Sequence, residues 1–387
     1  MKRIILSGRY SLLLVMILIV YFWHPALFAE KTIVHGDSLI HGLPLFYAHM
    51  ESLHGGESVL WSNGMYGGHP LFAEGQGGFA NPLNMLLASL FSPVLGHQLV
   101  HMLGLMIAAA GVFVLARQLN IGYWSASFAA LAASFSTSWI LCLHSYTASA
   151  TMAWIPWILV AAEYWIKHPS SISAILLAIP ASLSILAGYP QYPYGAVIYV
   201  LASLAVLPFS PDARAHIKTN WKKHLWSGSL AILLFAGLTA VQVLPLVELI
   251  GQSGRSEGIH LLSAGSSAAP WVKNLLFFDI NNSTLASMGS LLIVSLAIGS
   301  LLMKMPNRLW GHLLATLLLF NLGLQQASPV FLFIYKFHLI PGLHYHRHMA
   351  IFLCVAVIGL SVLAAFCIDA YSRRMTTVLR GSEKSEK

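Results

Sequence analysis

Charge is what this sequence lacks most. Only 9% of its 387 residues are Asp, Glu, Lys or Arg, 57% are hydrophobic, and the mean hydropathy is +0.72. A soluble domain carries about a quarter charged residues, so a soluble enzyme is excluded. Cysteine is also scarce. Cys142, Cys354 and Cys367 lie in apolar stretches without metal-ligand spacing, which argues against a disulfide framework or a zinc site and leaves packing as their role. No Gly-Lys-Ser/Thr follows Gly67-Gly68 to make a phosphate loop, and no Ser-His-Asp pattern, heptad run or repeat of fixed period emerges.

What the chain does have is length in apolar runs. About ten membrane spans of roughly 20 residues each fit within it, which predicts an all-α polytopic membrane protein forming one unit over 1–387. The runs fall at 10–28, 97–116, 123–142, 150–166, 171–187, 194–209, 226–247, 286–303, 309–324 and 349–370. Residues 329–340 are too few to cross and end in Pro341-Gly342, so they read as a re-entrant or interfacial piece. The first run follows Lys2, Arg3 and Arg9 and reads as a retained signal anchor with its amino end inside; a cleaved signal peptide is the rival reading.

Basic residues test that threading. The formal charge of +8 could suggest nucleic acid, but with this topology sixteen Lys and Arg fall inside and five outside (Lys31, Arg255, Lys273, Lys336 and Arg347), as the positive-inside rule requires. No basic stripe with interleaved aromatics is left to bind nucleic acid. Most acids and histidines face outward. Glu163 and Asp369 lie at inner span ends, where water or basic neighbours are expected to meet them.

The first outer loop, 30–84, carries five of the thirteen acids and five histidines, and so long a loop is usually functional. Leu39, Leu43, Phe46, Met50 and Leu53 recur near helical spacing, which predicts a helix lying at the membrane interface. Just before it, in His35-Gly36-Asp37-Ser38, Asp37 stands at the water boundary. There a carboxylate could take a proton from an attacking hydroxyl or hold a divalent cation against a phosphate leaving group. The plainer alternative is a loop Asp capping the helix that follows. Further on, Trp61, His69 and Gln76 sit among glycines in 61–70 and 74–82. Such a segment suits close approach to a sugar, and equally suits interfacial anchoring and turns.

Gln191, in Gly188-Tyr189-Pro190-Gln191, marks an outer turn. The second outer loop, 248–285, brings Glu248 and Arg255, and Arg347 lies among His344, His346 and His348. Arg347, Arg255 and Lys273 are the natural outer partners of a phosphate, with a local Glu-Arg pair and snorkelling to headgroups as the bland alternatives. The histidines at alternate positions would meet one ion only on an extended backbone, so no metal site is expected.

Gly36-Asp37, Pro44, Trp61, Gly67-Gly68-His69-Pro70, Gln76, Asn81-Pro82, Gly188-Tyr189-Pro190-Gln191, then Gln242, Pro245, Glu248, Ser253 and Arg255, and finally Pro341-Gly342 with Arg347 occur in an order that resembles the YfhO-like bacterial membrane protein family. That resemblance implies a GT-C-type glycosyltransferase of the bacterial cytoplasmic membrane with its active face outside. It implies a polyprenyl-phosphate sugar as donor, a cell-envelope glycan or polymer as acceptor, and Asp37 as the catalytic carboxylate. Asp37 is followed by Ser38 and Leu39 rather than by a second acid, so a two-carboxylate metal site is not expected. The polar tail 372–387 reads as cytoplasmic. Beside longer members of the family the chain looks like a short form that calls on a membrane-protein partner. A lipid-linked saccharide transporter and a non-catalytic envelope-assembly subunit are the competing readings.

Overall fold

The computed structural model describes residues 8, 10–28, 32, 37–56, 58–64, 67–252, 284–345, 349 and 351–385. Among them helix is the dominant structure, and the only β-type pairing is a single bridge between Ser62 and His69. The helices are α1 (Ser11–Phe28), α2 (Leu43–Leu53), α3 (Pro82–Leu90), α4 (Pro93–Gln118), α5 (Tyr123–Ser134), α6 (Thr137–Leu141), α7 (Tyr146–Met152) and α8 (Ile155–Lys167). They continue as α9 (Ser171–Leu186), α10 (Gln191–Leu204), α11 (Pro211–Thr219), α12 (Trp221–Gly251), α13 (Thr284–Gly299), α14 (Asn307–Gly323), α15 (Pro329–Lys336) and α16 (Ile351–Ser385).

Five stretches among the described residues are long and apolar enough to cross a membrane: Ser11–Phe28, Pro93–Gln118, Gln191–Phe209, Trp221–Gly251 and Ile351–Val378. Shorter apolar helices occupy Ser171–Leu186 and Leu292–Leu302. The protein is therefore an all-α membrane protein. The outward belt is apolar as lipid contact demands: on α12, Ile232, Leu233, Val241, Leu244 and Val247 are exposed.

Lipid tails are as apolar as leucine, so helices in a membrane gain little from burying large side chains and associate through close packing of small ones. The bundle follows that rule. Gly104 lies against the backbone of Ser149, and a Cβ there would stand 2.9 Å from its carbonyl oxygen; one at Gly111 would stand 2.8 Å from Pro156. Ala126, Ala129, Ala130 and Ala133 pack α5 into the core, and α16 runs through the centre with Val355, Ile358, Val362 and Leu363 fully buried.

Three expectations change in detail. The run 123–142 is broken: α5 ends at Ser134, and Ser136 caps α6 by accepting a hydrogen bond from the Trp139 amide. A serine that bonds its own backbone competes with continuation of a helix. The run 150–166 likewise divides between α7 and α8. The last run, 349–370, is longer than expected, because α16 continues through most of the polar tail to Ser385. Within residues 329–340, Pro329–Lys336 form the eight-residue α15, too short to cross. Cys142 and Cys354 are buried side by side, with Sγ atoms 3.4 Å apart, and Cys367 is buried as well.

Candidate functional site

The polar residues of the first loop collect at one end of the bundle. A π-helical turn, Ser38–Gly42, leads into α2. Asp37 stands at its start, exposed, and its side chain makes no capping hydrogen bond. The capping role that sequence allowed is thus not taken up, which leaves the carboxylate facing water. The π turn holds one residue more than an α turn would. It rotates the buried face to Ser38, Gly42, Leu45, Phe46 and His49, while Leu39 and Leu53 from the expected stripe are exposed.

That face packs on the bundle top. Phe46 meets His97 and Tyr146 edge-on, with ring centroids 6.2 and 5.4 Å apart, and Gly96 leaves the room its ring needs. The Ser38 hydroxyl and His97 Nε2 are 3.2 Å apart, and His101 Nδ1 is 2.7 Å from the Ser149 hydroxyl. Sequence reasoning passed over His97 and His101. Their i,i+4 spacing inside an apolar helix, which puts both on one face, was the available signal.

Loop 58–81 is then tied down from three sides. Ser62 and His69 exchange backbone hydrogen bonds at 2.8 and 2.9 Å. His69 Nε2 is 3.0 Å from the Glu74 carboxylate, and His41 Nε2 is 3.9 Å from its other oxygen. The Tyr146 hydroxyl donates to the Gly77 carbonyl, and the Gln242 amide donates to the Phe72 carbonyl at 2.9 Å. Asn81 caps α3 by accepting from the amides of Leu83 and Asn84, with Pro82 as the first helical residue, and donates to the Leu183 carbonyl at 3.0 Å.

A seam of bare backbone joins this loop to the 188–191 turn. Gly188 has φ +101°, and a Cβ on it would stand 2.8 Å from the Gly78 nitrogen; Gly78 has φ +60° and would meet the Ala187 carbonyl at 2.6 Å. Both need the left-handed region and neither has space for a methyl group. Gly188→Ala is therefore expected to cost about 2 to 4 kcal/mol from strain and overpacking together. Thermal unfolding in detergent would measure it, and a loss below about 1 kcal/mol would contradict a tight seam.

The turn brings Tyr189 near Asp37. Burial first, and then negative charge on Cys142 and Asp37, pushes the Tyr189 phenol up to about 12. Next to it, Gln191 Oε1 is buried with no hydrogen-bond partner among the described residues. The backbone seam sets this turn beside the first loop, with Gly188 packed against the Gln76 carbonyl. Trp61 lies in that loop, its ring over Gly68 and its indole nitrogen donating to Asn63 at 3.1 Å. Glu248 is exposed on α12, six residues past Gln242. His35, Arg255 and Arg347 lie outside the described residues.

His49 sits beneath loop 58–81, edge-on to Phe79 at 5.2 Å, and burial holds its pKa down to about 4. Unfolded, the ring takes up a proton near pH 6.5. Between pH 6.5 and 4 the unfolded chain binds a proton that the folded chain refuses, so His49's contribution is complete above pH 6.5 and lost as pH falls. The unfolding midpoint should drop from pH 7 to pH 5, and His49→Gln should flatten that drop; an unchanged slope would acquit His49.

Among the described residues no three His, Cys, Asp or Glu side chains converge as a metal ion would require. No known family's sequence profile matches this chain, and no curated protein is significantly similar to it.

Proposed function

We propose that the protein is an integral membrane glycosyltransferase of the GT-C type. It crosses the bacterial cytoplasmic membrane ten times and works on the outer face. The donor is a polyprenyl-phosphate sugar and the acceptor an envelope glycan or polymer. The observation that carries this reading is the setting of Asp37, an exposed carboxylate unused by its own helix.

In the reaction an acceptor hydroxyl attacks the anomeric carbon from the face opposite the lipid phosphate. The new C–O bond forms as the sugar–phosphate bond breaks, with inversion; Asp37 takes the hydroxyl proton, and the electron pair leaves on the phosphate. Charge grows on that phosphate in the transition state, where a fixed cation lowers the barrier most. Arg347 and Arg255 supply that charge, and His35, Trp61, His69, Gln76, Gln191 and Glu248 contact the sugars. Reconstitution with a radiolabelled polyprenyl-phosphate sugar and envelope acceptors, wild type against Asp37→Asn, tests the reading.

A second reading, a lipid-linked saccharide transporter, draws on Glu163, Arg308, His312 and Tyr199, which are linked by polar contacts inside the bundle. It requires donor movement across the bilayer without transfer, which the same vesicles would reveal.

A further inference from the structure

The opposite end of the bundle holds a cavity that the proposed transfer reaction does not use. From His97 beside Ser38, α4 runs 21 residues to Gln118, about 32 Å along its axis. There a cavity of about 370 Å³ opens among α4, α8, α14 and α16, walled by Leu119, Leu309 and Phe366 and rimmed by Lys167, Lys304, Arg308 and Arg373, with Asp369 the one carboxylate.

Those four cations are not equally engaged. Arg308 is held by Glu163 and by the Ser203 carbonyl at 3.2 Å. Arg373 is 2.7 Å from Asp369 and from the Asn120 carbonyl, and Asp369 also accepts from the Gly122 amide at 3.0 Å. Lys167 reaches the Gln118 carbonyl at 3.2 Å from an exposed position. Lys304 has no partner among the described residues. Asp369 is therefore neutralised by Arg373, and the rim keeps a surplus of positive charge.

An apolar wall below a cationic rim fits an amphiphile whose head carries a phosphate group. Basic pockets between membrane helices are known to take phosphate headgroups, each Lys or Arg contributing about 1 kcal/mol. We infer that this cavity binds a phosphate group carried by an anionic lipid or by a soluble phosphate ester. Lys304 and Lys167 make the charge contact. The inference is independent of the chemistry at Asp37.

The test uses the full chain purified in detergent. Native mass spectrometry would follow retention of phosphatidylglycerol and phosphatidylcholine, and phosphorus NMR line broadening would follow glycerol phosphate and inorganic phosphate. Lys304→Gln with Lys167→Gln removes two rim charges while leaving the Arg308 and Arg373 pairs intact. Lys222→Gln with Lys223→Gln, on exposed positions of α12, matches that charge change outside the cavity. The expected result is preference for phosphatidylglycerol that falls roughly five-fold per charge and roughly twenty-five-fold in the cavity variant, with the control near wild type. Broadening of glycerol phosphate that the cavity variant alone abolishes would assign the soluble source instead. Equal behaviour of the cavity and control variants towards every probe would overturn the inference.

Discussion

Asp37→Asn is expected to lower sugar transfer by about 10²- to 10⁴-fold, the usual contribution of a positioned general base, while donor binding stays near wild type. Asparagine keeps the shape of the side chain and removes only its ability to take a proton. Because Asp37 makes no capping hydrogen bond, the change should leave the π turn and the unfolding midpoint unaltered. That combination separates chemistry from folding. Equal transfer by both proteins would remove Asp37 from the reaction, and loss of donor binding in step with transfer would make it a binding group. Gln191→Ala in the neighbouring turn should weaken donor or acceptor binding with a smaller effect on turnover, since it donates or accepts hydrogen bonds but moves no proton.

The largest effect on stability belongs to Glu163. Its side chain is 3% exposed, both of its oxygens are bonded to Arg308, and His312 Nε2 stands 3.2 Å away. The Tyr199 hydroxyl meets the other nitrogen of His312 at 3.0 Å. Glu163→Ala leaves a guanidinium charge inside the bundle without its counterion, a change that costs about 3 to 5 kcal/mol where buried pairs are broken from one side. Replacing both partners, as in Glu163→Leu with Arg308→Met, should recover most of that loss, because the orphaned charge goes with its partner. Unfolding of the two variants in the same detergent measures the difference. A single variant as stable as wild type would mean that water reaches Arg308 freely.

These two sites differ in how far sequence could reach them. Asp37 was legible because it stands where an apolar run ends and a polar loop begins, a boundary that hydropathy marks directly. Glu163 was legible as an acid at a span end that would meet basic neighbours, but its partners lie 145 residues away at Arg308 and farther at His312. Nothing local announces a contact of that separation, although the i,i+4 placement of Arg308 and His312 on one helix hinted at a shared target. The helical bundle itself followed from the apolar runs. The breaks at Ser134–Ser136 and between α7 and α8 did not, because hydropathy averages over a window longer than the interruption. The rotated face of α2 escaped for a related reason: a helical wheel assumes 3.6 residues per turn, and one π turn shifts every later residue.

The motif residues also divided in a way composition could not foretell. Asn81 and Gln242 hold the loop in place, by capping α3 and by binding the Phe72 carbonyl, whereas Asp37 keeps its polar atoms uncommitted to such bonds. All three are polar motif residues, and only their hydrogen-bond partners tell a supporting residue from one left uncommitted.

The seam between Gly78 and Gly188 carries a consequence for how such a surface can change. Its contacts are main chain against main chain, so they impose nothing on the identity of the side chains around them. Provided the two glycines stay, a side chain that ties nothing down, such as Gln191, can be exchanged without rebuilding the helices below. The backbone scaffold is insulated from such side chains, which makes this end of the molecule a natural place to vary them by directed evolution.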